Sequence, residues 1–144
     1  MPGDKIFLDS NVLIYIYSLD EPDKRAIAIS LCEHYAVISF QVMNEISNVL
    51  TGKFNLDPND VAAKLDELSN SLELKNVDIL TIKKALSLKS FYKYSYFDCL
   101  MLASALISDC SIIYSEDLQH GQIIENKLKI VNPFIEKHKH TKLS

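Results

Sequence analysis

The stretch Lys5-Ile6-Phe7-Leu8-Asp9-Ser10-Asn11 decides how this chain begins to fold. A short apolar run that ends on an acid is typical of a buried strand in a parallel sheet. Ser10 and Asn11 are residue types that cap helices, so a helix is expected from about Val12. The stretch therefore predicts a strand that leads into a helix, with Asp9 at the carboxyl end of the strand.

Beyond this stretch, short apolar runs alternate with amphipathic segments. The patterns predict further strands at 36–39, 74–77, 111–115 and 129–131, and helices at 22–35, 41–51, 57–72, 81–89 and 96–107. Strands that alternate with helices favour a mostly parallel sheet flanked by helices. We therefore predict an α/β fold in a single domain over residues 1–134, followed by a polar tail at 135–144.

The composition is that of an ordinary globular protein. The chain has 144 residues, 48% hydrophobic and 24% charged, which is enough to bury the core of one domain. No apolar run reaches the length of a membrane span and the first residues lack a secretion signal, so we expect a cytoplasmic protein. The three cysteines show no metal-ligand spacing, which predicts free thiols.

The charge argues against one mode of nucleic-acid binding. The formal net charge is −4 and Arg25 is the sole arginine. A uniformly basic binding surface is therefore not expected. A nuclease stays compatible with this charge, because a carboxylate cluster that recruits divalent cations is itself a source of negative charge.

Four acids occupy positions where a solvent-seeking acid is not expected. Asp9 and Asp117 each follow an apolar strand, and ligands of α/β sheets bind beyond the carboxyl ends of strands. Glu45 and Asp98 fall on the apolar stripes of their helices. Alternatively, the strand-end acids serve as helix caps and the helical acids pair with a core lysine or a backbone amide. Because no arginine lies near either helix, a shared cation is the more economical interpretation.

A carboxylate cluster of this kind suits a hard divalent cation. Mg²⁺ and Mn²⁺ prefer carboxylate and water oxygens, and the sequence offers no Cys or His cluster for zinc. Such ions activate water and neutralise charge on a phosphodiester during its cleavage, and that chemistry needs no nucleophilic side chain.

The order of these motifs resembles a known family. Phe7-Leu8-Asp9-Ser10-Asn11, Glu45, Tyr96-Phe97-Asp98 and Ser115-Glu116-Asp117 occur in the order of the PIN-domain pattern. The C-terminal segments 115–121 and 132–134 resemble those of VapC-type toxins. The resemblance implies a PIN-like three-layer domain, in which a central mostly parallel sheet is flanked by helices. It also implies an Mg²⁺-dependent endoribonuclease, with Mn²⁺ as the alternative ion, that acts as the toxin of a toxin–antitoxin system.

The same resemblance implies a role for each acid. Asp9 and Asp98 resemble the principal metal-holding carboxylates of the family, and Glu45 resembles the acid that completes the first metal site. Asp117 resembles the fourth acid, which holds a second metal or a water. All four are therefore expected to be catalytic.

Supporting residues and partners are implied as well. Ser115 resembles the hydroxyl residue that orients the fourth acid, and Asn11 the polar residue beside the first. The resemblance implies an RNA substrate, a homodimer, and an antitoxin whose C-terminal segment blocks the active-site groove. The apolar stripe of the helix at 57–72 separately favours a dimer, because it exceeds what one small sheet needs for cover.

Several alternatives remain open at this stage. An RNA-processing PIN nuclease outside a toxin system would carry the same acids, and an inert PIN-fold binding module would be expected to have lost some. A haloacid-dehalogenase-type phosphotransferase needs a second acid where Asn11 stands, and a dinucleotide site needs a glycine-rich turn that is absent. The run Phe91-Tyr92-Lys93-Tyr94 is either a base-stacking surface or a half-buried linker, and the linker is expected. His120 is expected to belong to a surface turn.

Overall fold

The fold is built on a six-stranded sheet with the order β3-β2-β1-β4-β6-β5. The computed structural model describes residues 4–135. The strands are β1 (Ile6–Leu8), β2 (Ala36–Ser39), β3 (Glu73–Lys75), β4 (Ile112–Tyr114), β5 (Ile123–Ile124) and β6 (Leu128–Val131). All neighbouring strands pair in parallel except β5, which is antiparallel to β6.

Helices connect the parallel strands. They are α1 (Ser10–Leu13), continued by a 3₁₀ turn at Ile14–Tyr17, α2 (Pro22–Leu31), α3 (Phe40–Thr51), α4 (Pro58–Ser71), α5 (Ile79–Phe91) and α6 (Tyr96–Ile107). The α/β fold predicted from the sequence is confirmed. No helix in residues 4–135 combines the length and apolar character that a bilayer crossing requires.

The strand order places the carboxyl ends of β1 and β4 side by side. Phe7 in β1 pairs with Val37 of β2 on one edge and with Ile113 of β4 on the other, and all three are fully buried. The chain moves outward from β1 to β2 and β3, then returns to the opposite side of β1 as β4. This reversal opens a crevice beyond the two strand ends, where α/β proteins bind their ligands.

Polar caps begin the helices that approach this crevice. The Ser39 hydroxyl accepts a hydrogen bond from the Val42 amide at the start of α3, and the Ser95 hydroxyl accepts one from the Asp98 amide at the start of α6. Such bonds satisfy amides that have no partner within the helix. They fix where each helix begins relative to the sheet edge.

Some predicted boundaries are wrong. α1 begins at Ser10 with Asp9 as its N-cap, and neither Ser10 nor Asn11 caps it, because both side chains bond to acids instead. α2 ends at Leu31 rather than at 35, because the Tyr35 carbonyl already accepts a hydrogen bond from the Ile6 amide of β1. The third strand lies at 73–75 rather than 74–77.

The short strand β5 was not predicted at all. It spans two residues and reaches β6 through a turn in which Glu125 and Asn126 have φ of 51° and 56°. Such a turn usually carries glycine or an Asn-Gly pair, and a Glu-Asn pair gives a weak signal.

The apolar stripe on α4 does not provide a surface for a partner. Val61 and Leu68, together with Leu72 at the end of the helix, are buried against the rest of the chain. The argument for a dimer from this stripe is wrong, because the stripe is buried within one chain. The homodimer itself stays a prediction. The prediction of free thiols is confirmed, since Cys32, Cys99 and Cys110 are all unpaired.

Candidate active site

Asp9 lies at the centre of the crevice, directly after β1, and only 6% of its surface is exposed. Its Oδ2 atom accepts hydrogen bonds from the Ser115 hydroxyl at 2.8 Å and from the Asn11 amide Nδ2 at 3.1 Å. One donor comes from the segment after β4 and the other from α1. The neighbouring strand ends therefore hold this carboxylate in one orientation.

Glu45 meets Asp9 across a single hydroxyl group. The Ser10 Oγ atom lies 2.9 Å from Glu45 Oε1 and 3.3 Å from Asp9 Oδ1. A serine hydroxyl has one proton to donate, so the two carboxylates share it. Ser10 is a site residue that the sequence analysis treated only as a helix cap.

The pKa of Asp9 reflects this crowding. Burial, together with the smaller effect of the nearby Glu45 carboxylate, raises the pKa of Asp9 to about 6, although the hydrogen bonds from Ser115 and Ser10 act to lower it. Removal from water disfavours the charged form of an acid, and a like charge acts in the same direction. The ionised site therefore lacks a compensating positive charge.

Gln41 links the helix of Glu45 to the backbone beside Asp98. Asp98 is half-buried in the first turn of α6. The Gln41 amide Nε2 donates to the Phe97 carbonyl at 3.0 Å and lies 3.5 Å from Glu45 Oε2. Gln41 thus ties the helix that carries Glu45 to the residue before Asp98, and it is a second contact that the sequence analysis missed.

Asp117 is reached through Ser115. The Asp117 side chain is exposed, and its backbone amide donates to the Ser115 hydroxyl at 3.3 Å. Because the same hydroxyl donates to Asp9, Ser115 contacts the first acid and the backbone of the fourth. Asn11 has a similar double contact, since its Oδ1 accepts from the Glu116 amide at 3.1 Å while its Nδ2 bonds Asp9.

Glu116, which lies between these residues, is engaged elsewhere. Its carboxylate accepts from the Tyr15 hydroxyl at 2.8 Å and forms an ion pair with Lys24 at 3.0 Å. The Lys24 ammonium also lies over the rings of Tyr15 and Phe134, 4.8 Å and 5.3 Å from their centroids. This clamp holds Glu116 away from Asp9 and fixes the segment that carries Asp117.

The structure brings Asp9 and Glu45 together and connects Asp98 and Asp117 to them only through intermediate groups. Within residues 4–135 no three acidic, histidine or cysteine side chains are grouped closely enough to form a ready metal cage. Convergence of all four carboxylates on bound metal stays a prediction.

The donor chemistry of the site nevertheless fits a hard divalent cation. In the described part of the chain no lysine, arginine or histidine forms an ion pair with any of the four acids. The Gln41 Oε1 atom is buried and accepts no hydrogen bond from those same residues. Every candidate donor is oxygen, which suits Mg²⁺ or Mn²⁺.

His120 lies in the loop that leads into β5. His120 Nδ1 accepts a hydrogen bond from the Asn132 amide at 3.0 Å, which closes the turn before β5. His138 and His140 lie outside the described residues, as does the tail from residue 136 onward.

The fold and this crevice are those of a PIN-type α/β domain. A family model described as the PIN domain matches residues 6–125, so the chain belongs to the PIN-domain family. No curated protein sequence matches it.

Three solved structures share the fold. A toxin–antitoxin complex from Klebsiella pneumoniae has a TM-score of 0.68 at 20% identity, over 89% of this chain and 97% of that one. The sarcin–ricin-loop-cleaving toxin VapC20 of Mycobacterium tuberculosis has a TM-score of 0.63 at 19% identity, over 78% and 89%. VapBC2 from Rickettsia felis, bound to a DNA fragment from its promoter, has a TM-score of 0.61 at 16% identity, over 88% and 98%.

Proposed function

We propose that this protein is a metal-dependent endoribonuclease that hydrolyses RNA phosphodiester bonds as the toxin of a toxin–antitoxin system. One observation carries the proposal. Asp9 is a buried carboxylate that shares one hydroxyl proton with Glu45, and no cationic side chain of the described residues compensates the pair. A buried charge of this kind is expensive unless it is paired or holds a metal.

Asp9, Glu45 and Asp98 would hold the first ion, and Asp117 a second ion or a water. When bound, Mg²⁺ or Mn²⁺ supplies an activated water and neutralises charge on the phosphodiester. The protein side chains have the complementary task of orientation. Ser115 and Asn11 fix Asp9, and Ser10 aligns Asp9 with Glu45. Asp117 is exposed and would be accessible to an RNA strand that approaches from solvent.

The antitoxin partner is supported by the neighbours and by an apolar hollow beside Glu45. The Klebsiella structure is a toxin–antitoxin complex. Exposed Phe40 and Phe97, which are 45% and 62% exposed, line the hollow together with Glu45. A partner segment with an apolar side chain and a basic or polar group would fill the hollow and cover the acids.

The homodimer is proposed on a different face from the one first predicted. α5 exposes Ile79, Leu80 and Leu86, at 67%, 63% and 55%. Large apolar side chains gathered on one helix mark an association surface. Light scattering that gives a monomer at high protein concentration, without a partner, would count against this dimer.

The proposed activity has a direct test with a matched control. Wild-type protein, Glu45→Gln and Glu33→Gln are incubated with a mixed RNA pool in Mg²⁺, in Mn²⁺ and in chelator. Cleavage by the wild type and by Glu33→Gln, which changes an exposed acid in the turn after α2, is expected only with metal, and Glu45→Gln is expected to be inactive. Metal-independent cleavage, or equal cleavage by all three proteins, would reject the assignment. An inert binding module would cleave under no condition.

Toxin function is tested separately in cells. Induced expression of the wild type should stop growth, and expression of the active-site variant should not. A nuclease that cleaves RNA in vitro without arresting growth would instead be an RNA-processing enzyme. Under both alternatives, we propose that the protein acts on RNA in the cytoplasm.

A further inference from the structure

A cavity of about 460 Å³ has Asp117 in its lining. The linker between α5 and α6 forms one wall and the loop before β5 forms the other. The lining consists of Phe91, Tyr92, Lys93, Tyr94, Asp117, Leu118, Gln119 and Gln122. Its volume is that of a small-molecule site, and it combines aromatic rings with amide groups.

The cavity is held open by hydrogen bonds between its two walls. The Tyr94 hydroxyl donates to the side-chain oxygen of Gln122 and accepts a hydrogen bond from the backbone amide of Gln119 at 3.2 Å. The Tyr92 hydroxyl accepts from the Glu125 amide at 3.0 Å. Lys89 fixes the linker again through the Tyr94 carbonyl at 2.7 Å. The prediction of a half-buried linker holds for Tyr92 and Tyr94 only.

Phe91 and Lys93 are left for a ligand. The Phe91 ring is 81% exposed at the mouth of the cavity, although it is the last residue of a helix with a buried face. Lys93 forms no ion pair with residues 4–135, and the Gln119 side chain makes no hydrogen bond there. The site thus offers a stacking surface, a cation and an amide that both donates and accepts.

We propose that this cavity binds one unpaired base of the RNA strand, next to the phosphate that is cut. The inference rests on the proposed nuclease function and names how that site selects its substrate. The base stacks on Phe91, Gln119 hydrogen-bonds its edge, and Lys93 contacts a flanking phosphate. Aromatic stacking with amide readout is how proteins recognise single-stranded RNA. The shared wall at Asp117 places the base beside the reacting phosphate.

The binding test uses short single-stranded RNAs of one base each, oligo-A, oligo-U and oligo-C, in chelator so that metal-dependent cleavage is off. Fluorescence anisotropy compares wild type with Phe91→Ala, Lys93→Ala and Gln119→Ala. Loss of one stack is expected to weaken binding roughly 5- to 100-fold in Phe91→Ala. Lys93→Ala should reduce the slope of log affinity against log salt concentration by the amount of about one phosphate contact. Gln119→Ala should reduce the difference in affinity between the three RNAs. Leu19→Ala, which removes an apolar side chain as exposed as Phe91, at 81%, but outside the cavity, should bind as the wild type does.

A cleavage test separates this inference from the proposed function. With Mg²⁺ and a mixed RNA pool, Phe91→Ala and Gln119→Ala should relax the base preference at one position beside the cut. If the wild type does not cleave RNA but the three variants still bind RNA more weakly than it does, the base-binding cavity is supported and the nuclease function is rejected. Wild-type binding and an unchanged cleavage pattern in all three variants would reject the cavity and leave the nuclease intact. Loss of antitoxin binding without any change in RNA binding would show that the cavity serves a protein, and would also overturn the proposal.

Discussion

The Ser10 hydroxyl lies between two carboxylates, 2.9 Å from Glu45 Oε1 and 3.3 Å from Asp9 Oδ1. These acids are 36 positions apart in the sequence, on α3 and at the end of β1. A single proton donor therefore sets the distance between the two acids that are proposed to hold the first ion.

Removal of that donor should be costly. Ser10→Ala leaves Asp9 and Glu45 without their common partner, and hydrogen bonds to charged groups contribute about 1.5–3 kcal/mol each. We expect a loss of unfolding free energy in that range in chelator, together with reduced cleavage. Urea unfolding measures the first and a gel assay the second. Ser104→Ala is the control, because the Ser104 side chain is also buried but donates only to the Leu100 carbonyl. Equal losses of unfolding free energy and of cleavage in the two variants would contradict a special role of Ser10.

Asp98→Asn should separate catalysis from stability. The substitution keeps the size of the side chain and removes one negative charge. Because no ion pair to Asp98 occurs in residues 4–135, its removal strands no lysine. We expect loss of cleavage and unchanged or higher thermal stability in chelator.

Asp109→Asn provides the control for that variant. Asp109 is exposed, pairs with Lys127 at 2.8 Å, and has a φ of 60°, which asparagine tolerates. This variant should cleave at the wild-type rate. A destabilised Asp98→Asn protein that still cleaves normally would end the assignment of Asp98 as a metal ligand.

The metal-free protein should lose stability as the pH rises through the titration of Asp9. The folded-state pKa of about 6 lies above the usual 3.8 of an aspartate. Protonation of Asp9 therefore stabilises the folded state. This contribution to the unfolding free energy is fully present below pH 3.8 and is lost as the pH rises through about 6. The shift corresponds to about 3 kcal/mol at most. Unfolding curves of the wild type and Asp9→Asn in chelator, from pH 4 to about 7.5, isolate this component by difference.

Metal should reverse that loss. A cation binds the ionised carboxylate, so Mg²⁺ should restore wild-type stability at neutral pH and have little effect on Asp9→Asn. Parallel pH profiles for the two proteins, with or without Mg²⁺, would show that Asp9 is not the titrating group.

Gln41→Leu should impair cleavage without unfolding the protein. Gln41 joins α3 to the Phe97 carbonyl, and its loss frees Glu45 to move relative to Asp98. Displacement by about 1 Å can reduce rates by about 100-fold. We expect a lower kcat with a small change in thermal stability. Asn48→Leu, on an exposed position of the same helix, should leave kcat unchanged, and an equal effect of both variants would point to general damage to α3.

The sequence was sufficient to predict the strands that carry the site, but not the contacts between its acids. The apolar runs before Asp9 and Ser115 identify β1 and β4, and the alternation of strands and helices predicts a mostly parallel sheet but not its strand order. The contacts of Ser10 with Glu45 and of Gln41 with Phe97 depend on how α3 and α6 pack across the sheet edge. No local pattern encodes that packing, and a two-residue strand such as β5 leaves hardly any pattern.

β1 is hydrogen-bonded along both edges, whereas Asp117 and Gln119 are exposed residues of a loop outside the sheet. Amide protons in a central strand exchange only when much of the sheet opens, and those in an exposed loop exchange through local fluctuations. The site should therefore come apart in sequence as the protein loosens. The loop residues Asp117 and Gln119 would lose their positions first through local unfolding, while Asp9 would keep its position until global unfolding.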